Sequence, residues 1–418
     1  MNEPADPRVL QVERATVLCD LHRFEEALAV LGDVLAADPD DPRAWCVCAR
    51  AELGRGNREA ALNAAKHAIA LTPDAEWPHR LASIALSGLG KVDDAVWHAR
   101  EAVRVDPHEW RALTNLAGRL AERAGDHDEA GDAAARALEL APHEVQTHMV
   151  AGAVARARGR RSEAEAAFRN ALAIDPQHGP AHNELARLRL GRGPVSGPTR
   201  LAEAASGFAT AVRTDPRLAT SRGNLELVLR GFLSRVTYLV WLDAALITRL
   251  TTSGDGSTAA VLAVIALVLP AAFAWRFVVE ASPAVRARLF ELVQRDARVR
   301  AAVILELVAL ACLVGAAAAP AARTGFALGA ALSALVSRLI LLMDLDRHKR
   351  AVGGAVPRHS ISTTTLWLLV VAFVGAAAAL AYGSTNGLNV RESLIVAVVF
   401  ATVAALLASV AVRRRTSR

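Results

Sequence analysis

Cysteine is scarce in this chain of 418 residues. Cys19, Cys46, Cys48 and Cys312 show no CxxC spacing and no framework pattern, which excludes a disulfide-stapled scaffold and points to a reducing compartment. No cleavable leader is expected, because "MNEPADPRVL" has neither a basic start nor an apolar core. Catalytic signatures are missing too. "HEVQTH" at 143–148 has one residue too many for the zinc-protease HExxH pair, so its histidines point away from each other on a helix. "GLGKV" at 88–92 lacks the leading Gly and the final Ser or Thr of a phosphate-binding loop. With no GxSxG, no kinase set and no metal cluster, neither an enzyme nor a bound metal or cofactor is expected.

An even spread of charge is also lacking. The formal net charge of +6 taken alone suggests nucleic acid, yet residues 1–230 hold 29 Lys+Arg against 33 Asp+Glu, and residues 231–418 hold 19 against 9. The basic half is also the apolar half, with its cations between long hydrophobic runs. That arrangement suits lipid head groups rather than DNA phosphates.

What is present is, first, a period. Pro39, Pro73, Pro107, Pro142, Pro176 and Pro216 follow one another at 34, 34, 35, 34 and 40 residues. Twelve residues before each stands alanine: Ala27, Ala61, Ala95, Ala130, Ala164 and Ala204. Five residues before each stands another small residue: Val34, Ala68, Ala102, Ala137, Ala171 and Ala211. Four of the six prolines follow Asp. A unit of this length holds two amphipathic helices and two turns. The small residues let the second helix approach its neighbours, and the proline ends it.

This pattern resembles the tetratricopeptide repeat over residues 8–216, in six units, the last lengthened by six residues around "GRGPVSGPT". The family's aromatic near the start of the first helix is kept as Trp45, with His79, Leu113, His148 and His182 at the same register. Its later bulky position is kept as Phe168 and Phe208. Residues 217–230 read as a closing seventh helix. The resemblance implies a concave face built by the first helix of each unit, at its second, fifth, sixth and ninth positions. Those include Arg43, Arg50, Trp77, Arg80, Arg111, Asn115, Asn183 and Arg187. Guanidinium, indole and amide groups suit an acidic or C-terminal peptide. The fixed order of the family's carboxylate clamp is not reproduced.

The second feature is a set of apolar runs at 258–279, 301–319, 325–343, 364–383 and 393–412, each near the ~20 residues that cross a bilayer. A weaker run at 232–250 carries Arg235 and Asp243. Loops 280–300 and 344–363 and the tail from 413 carry 5, 4 and 4 Lys+Arg, against 0, 1 and 1 in 251–257, 320–324 and 384–392. This bias places the first half and the tail in the cytoplasm, which makes 232–250 a crossing helix continuous with the cap. "SPAVRARLFELVQRDARVR" puts Val285, Leu289, Leu292 and Val293 on one face and reads as a short interfacial helix. Gly325, Gly329 and Ser333, and again Gly375, Ala379 and Gly383, permit close helix contact in lipid. Asp243, Glu306 and Arg338 lie inside runs. Glu306 and Arg338 sit at matching depth, so an ion pair between them is expected, while Asp243 has no partner at its depth.

The sequence thus specifies an all-α chain of the plasma membrane. A tetratricopeptide-like solenoid of about six repeats with its capping helix spans 1–230, a six-helix transmembrane bundle spans 231–412, and a basic tail spans 413–418. The expected function is a membrane-anchored scaffold for a protein or peptide partner, with lipid contact and no nucleic acid. The alternative is a six-span transporter or channel with a regulatory repeat domain.

Overall fold

The computed structural model describes residues 7–123, 126–190, 197–252, 256–318 and 323–352, and among these every regular element is an α-helix. They fall into two compact units, Met1–Ala181 and His182–Arg418.

The first unit is a run of helix pairs: α1 (Pro7–Asp20) with α2 (Phe24–Ala37), α3 (Pro42–Arg55) with α4 (Arg58–Leu71), α5 (Glu76–Gly88) with α6 (Val92–Val105), α7 (Trp110–Glu122) with α8 (His127–Leu140), and α9 (Val145–Ala157) with α10 (Arg161–Ile174). Periodic small residues make this stacking possible. Ala27, Ala61, Ala95, Ala130 and Ala164 are buried, as are Val34, Ala68, Ala102, Ala137 and Ala171. Gly152 shows the tolerance: a Cβ there would stand 2.5 Å from the ring of Phe168, itself fully buried.

The turns explain the Asp-Pro pairs. Each second helix ends two residues before its proline, and where Asp fills the place between, it accepts from the backbone N–H two residues on. Asp38 receives Asp40 at 3.3 Å, Asp106 receives His108 at 3.0 Å, and Asp175 receives Gln177 at 2.9 Å. Within the pairs, Gly56, Gly90 and Gly159 take φ of +81°, +76° and +75°, a region that glycine enters without steric cost. The register holding Trp45 and the histidines has its own task. Trp45 Nε1 donates to the Pro39 carbonyl at 2.8 Å, and Nε2 of His79 and of His148 meet the Pro73 and Pro142 carbonyls at 3.1 and 2.9 Å. A ring N–H at this position therefore satisfies the carbonyl of the proline six residues back.

The sixth pair is α11 (Gly179–Leu190), which belongs to the second unit from His182 on, and α12 (Pro198–Thr214), with Ala204, Phe208 and Ala211 fully buried. This pair groups with the helices after it, so the compact units part earlier than residue 230. Next comes α13 (Ala219–Thr252), one helix of 34 residues, about 51 Å long at 1.5 Å per residue. Its start repeats the turn chemistry: Arg217 N–H donates to Asp215 at 3.0 Å, and Arg222 donates to the Pro216 carbonyl at 2.8 Å. The cap and the first apolar run are thus a single element.

Beyond it lie α14 (Gly256–Glu280), α15 (Pro283–Arg295), α16 (Ala297–Ala318) and α17 (Arg323–Val352). Phe232 of α13 stacks on Phe277 of α14 at 3.8 Å, and both belong to a core with Val285, Leu292, Val299, Leu305 and Leu341. The antiparallel register of α16 and α17 is pinned at two points. Ser337 donates to the Ala302 carbonyl at 2.9 Å, and the Phe326 ring lies 2.8 Å from where a Cβ on Gly315 would be. Gly325, Gly329 and Ser333 are buried, as small contact residues should be.

Two expectations are corrected here. α15 is a helix, but it does not turn its apolar face outward: Val285 and Leu292 are buried in the protein core, with Leu289 and Val293 packed beside them. Glu306 and Arg338 do not pair. Neither carboxyl oxygen of Glu306 has a hydrogen-bond partner, and the Arg338 guanidinium lies over the Tyr238 ring at 4.2 Å and near Trp241 at 5.8 Å. Their depths match, but their azimuths differ. Ser337 faces α16, and the next residue on an α-helix points about 100° away, toward α13.

By length and hydropathy, two helical stretches among the described residues are able to cross a membrane, Ala219–Thr248 and Gly325–His348. The expected runs at 258–279 and 301–319 fall on α14 and α16, with residue 319 outside the described residues. Those at 364–383 and 393–412, with Gly375, Ala379, Gly383 and the basic tail, lie outside the described residues.

Candidate functional site

The residues expected on the concave face sit on the first helices of their pairs. In the first unit each arginine already has an acid. Arg43 lies 3.9 Å from Glu13, Arg50 pairs with Asp20, Arg80 with Glu76 at 2.5 Å, and Arg111 with Glu109 at 3.4 Å. Two of these acids are thirty residues earlier, one repeat back, as Glu25 and Asp128 are for Arg55 and Arg158. The surface is therefore an alternating ladder of charge rather than a bare basic stripe. Arg111 also stacks over Trp110 at 4.4 Å, which holds its guanidinium flat. Trp77 is half-buried against the core of the first pairs.

The two amides act between helices. Asn115 of α7 is buried and donates to the Ser83 hydroxyl of α5 at 2.9 Å. In the second unit Asn183 is buried, and its carbonyl oxygen accepts from Ser221 at 3.1 Å and from Asn224 at 3.0 Å. Arg187 pairs with Glu184 at 2.8 Å. Of the eight residues, the exposed arginines Arg43, Arg111 and Arg187 keep about half of their side-chain surface open.

The comparisons with known proteins fit this geometry. Two family models, each described as tetratricopeptide repeat, match residues 18–84 and 80–145. These residues belong to the tetratricopeptide repeat family. No curated relative matches the sequence. Among solved structures, the APC/C hetero-tetramer Cut9–Hcn1 is similar at 16% identity and a TM-score of 0.45, over 53% of this chain and 42% of that one. PilW, a widely conserved type IV pilus biogenesis factor, is similar at 18% and 0.42, over 54% and 99%. YrrB, a tetratricopeptide protein with an unusual peptide-binding site, is similar at 20% and 0.32, over 41% and 88%. This chain spans less than half the length of the first. Tetratricopeptide repeats make an interaction scaffold, so the first-helix ladder is the surface to test.

A second constellation was not anticipated from the sequence. Arg230 of α13 is buried and pairs with Asp344 of α17 and with Asp296, which caps α16, at 3.0 Å. Glu226 lies 3.9 Å from Arg230, receives Arg288 at 2.7 Å and stands 3.5 Å from His348. Burial alone would raise the Asp296 carboxyl, but Arg230 and the backbone N–H groups of Arg298 and Val299 outweigh it and hold the group below its ordinary value. The readable signal was a charge at the same end of each of three apolar runs: Arg230 before the first, Asp296 before the third, Asp344 after the fourth.

Proposed function

We propose that this protein is a membrane-anchored tetratricopeptide scaffold, in which the cytoplasmic repeats of residues 1–230 recruit a protein partner and a six-span bundle over 231–412 fixes them to the plasma membrane. The observation that supports anchoring is an inverted surface in α13–α17. Tyr238, Leu242 and Leu246 form an exposed stripe on α13, and Leu339, Leu342 and Met343 form one on α17, with Leu307, Val314 and Trp275 exposed as well. Meanwhile Ser333, Ser337 and Glu306 are buried. Apolar outside and polar inside is the arrangement that lipid selects. Recruitment is supported by the family and by Arg43, Arg50, Trp77, Arg80 and Arg111 along the first helices of the first unit. A carboxylate-bearing peptide would exchange partners with the ladder acids, gaining charge-assisted hydrogen bonds while Glu13, Asp20 and Glu109 turn to solvent. Anchoring raises the concentration of the captured partner for a second contact at the bilayer.

Two measurements test this reading. Protease added to right-side-out vesicles should leave the repeats intact, and digestion of them would refute the topology. Full-length protein with Arg43, Arg80 and Arg111 all changed to Glu should lose the partner that the unaltered protein retains from native membranes. Retention would exclude this groove.

A further inference from the structure

Glu306 of α16 is the largest unexplained polar group in the second unit. It is 7% exposed, and neither carboxyl oxygen has a hydrogen-bond partner. Arg338, the nearest candidate by sequence, is engaged with Tyr238 and Trp241. The register of the hairpin sets what surrounds the carboxyl. Ser337 bonds to Ala302, one turn before Glu306, and Phe326 meets Gly315 further along, so Ser333 stands at the level of Glu306. Ser333 is fully buried and its hydroxyl is likewise without a partner.

An ionised carboxylate here would be a buried charge with no cation, a state that desolvation strongly disfavours. The hydroxyl chemistry points the same way. Ser337 has one hydrogen, and it is given to the Ala302 carbonyl. What it offers Glu306 is a lone pair, which only the protonated acid can use. Ser333, at the level of the carboxyl, keeps a hydrogen that no other group takes.

We infer that Glu306, Ser333 and Ser337 form a proton-binding site between α16 and α17, in which the carboxyl holds one proton at neutral pH and donates it to Ser337. Releasing the proton leaves a carboxylate facing a lone pair, so the site exchanges its proton only when the two helices part. This goes beyond anchoring and holds whether or not lipid surrounds the bundle, because the burial is by the protein itself.

The test is infrared spectroscopy of the purified full-length protein at neutral pH. The carbonyl stretch of a buried neutral acid is expected, and it should vanish in Glu306→Gln, which keeps shape and neutrality. A second readout needs no variant. A hydrophobic carbodiimide adds to a protonated carboxyl: the acid proton moves to one carbodiimide nitrogen, the oxygen bonds to the central carbon, and an acyl shift gives an N-acylurea with no leaving group. Mass spectrometry should find the whole reagent added at Glu306. Identical spectra for the two proteins, or no adduct at Glu306, would overturn the proposal. So would loss of both signals on adding sodium ions, which would make the occupant a metal cation.

Discussion

The imidazoles of His79 and His98 meet Nδ1 to Nδ1 at 3.1 Å. His79 must carry its hydrogen on Nε2, because that nitrogen faces the Pro73 carbonyl. Its Nδ1 therefore accepts, and His98 donates. Burial first, and then the charge that His79 would bear, pushes His98 down to about 4. The unfolded chain, with an ordinary histidine near 6.5, binds more protons between those values. Stability in this pair of helices should be full above pH 6.5 and fall as pH drops toward 4, by about 2 kcal/mol after discounting partial exposure. Hydrogen exchange of α5 and α6 amides at pH 7 and pH 5, corrected for intrinsic rates, checks this. Equal protection would show that the pair does not titrate.

Gly152→Ala places a methyl against the Phe168 ring, which has no free volume to enter. Overpacking of this kind costs about 1–3 kcal/mol. The midpoint of denaturation should fall, and Gly152→Ala with Phe168→Leu should recover part of it.

Asp175→Ala removes the acceptor for the Gln177 N–H. The expected loss is about 1 kcal/mol, with Asp175→Asn closer to the unaltered protein. Chemical denaturation of the three proteins separates these outcomes.

Arg230→Met takes from Asp344 and Asp296 the guanidinium that they share, a loss of about 3–5 kcal/mol. Adding Asp344→Leu and Asp296→Asn should restore much of it. Thermal stability in detergent across this set measures the coupling. Additive losses would mean that the cluster does not act as a unit.

Much of the repeat half could be read from the chain because every unit writes its own signal. Ala27 and Pro39 already imply a close-packed second helix and its end, and the next five units repeat the statement. The Arg230 cluster could not be read so directly. Its partners stand 66 and 114 residues away, and the burial that makes them a unit arises only when α13, α16 and α17 pack. Glu306 and Arg338 failed for a smaller reason. Depth along a helix follows from counting residues, whereas the direction of a side chain depends on which neighbour each face meets. Ser337 had gone to α16, so Arg338 went to α13. The arginines expected in the groove lie on first helices, but their acids, one repeat back or on the same turn, were not counted with them.

The uninterrupted α13 ties two cores together. Leu225, Val228 and Phe232 pack with Leu201 and Phe208, while Val240, Ala244 and Ile247 pack with Leu313 and Ala330. One continuous rod thus belongs to both, and melting of either core strips cover from the helix on which the other depends.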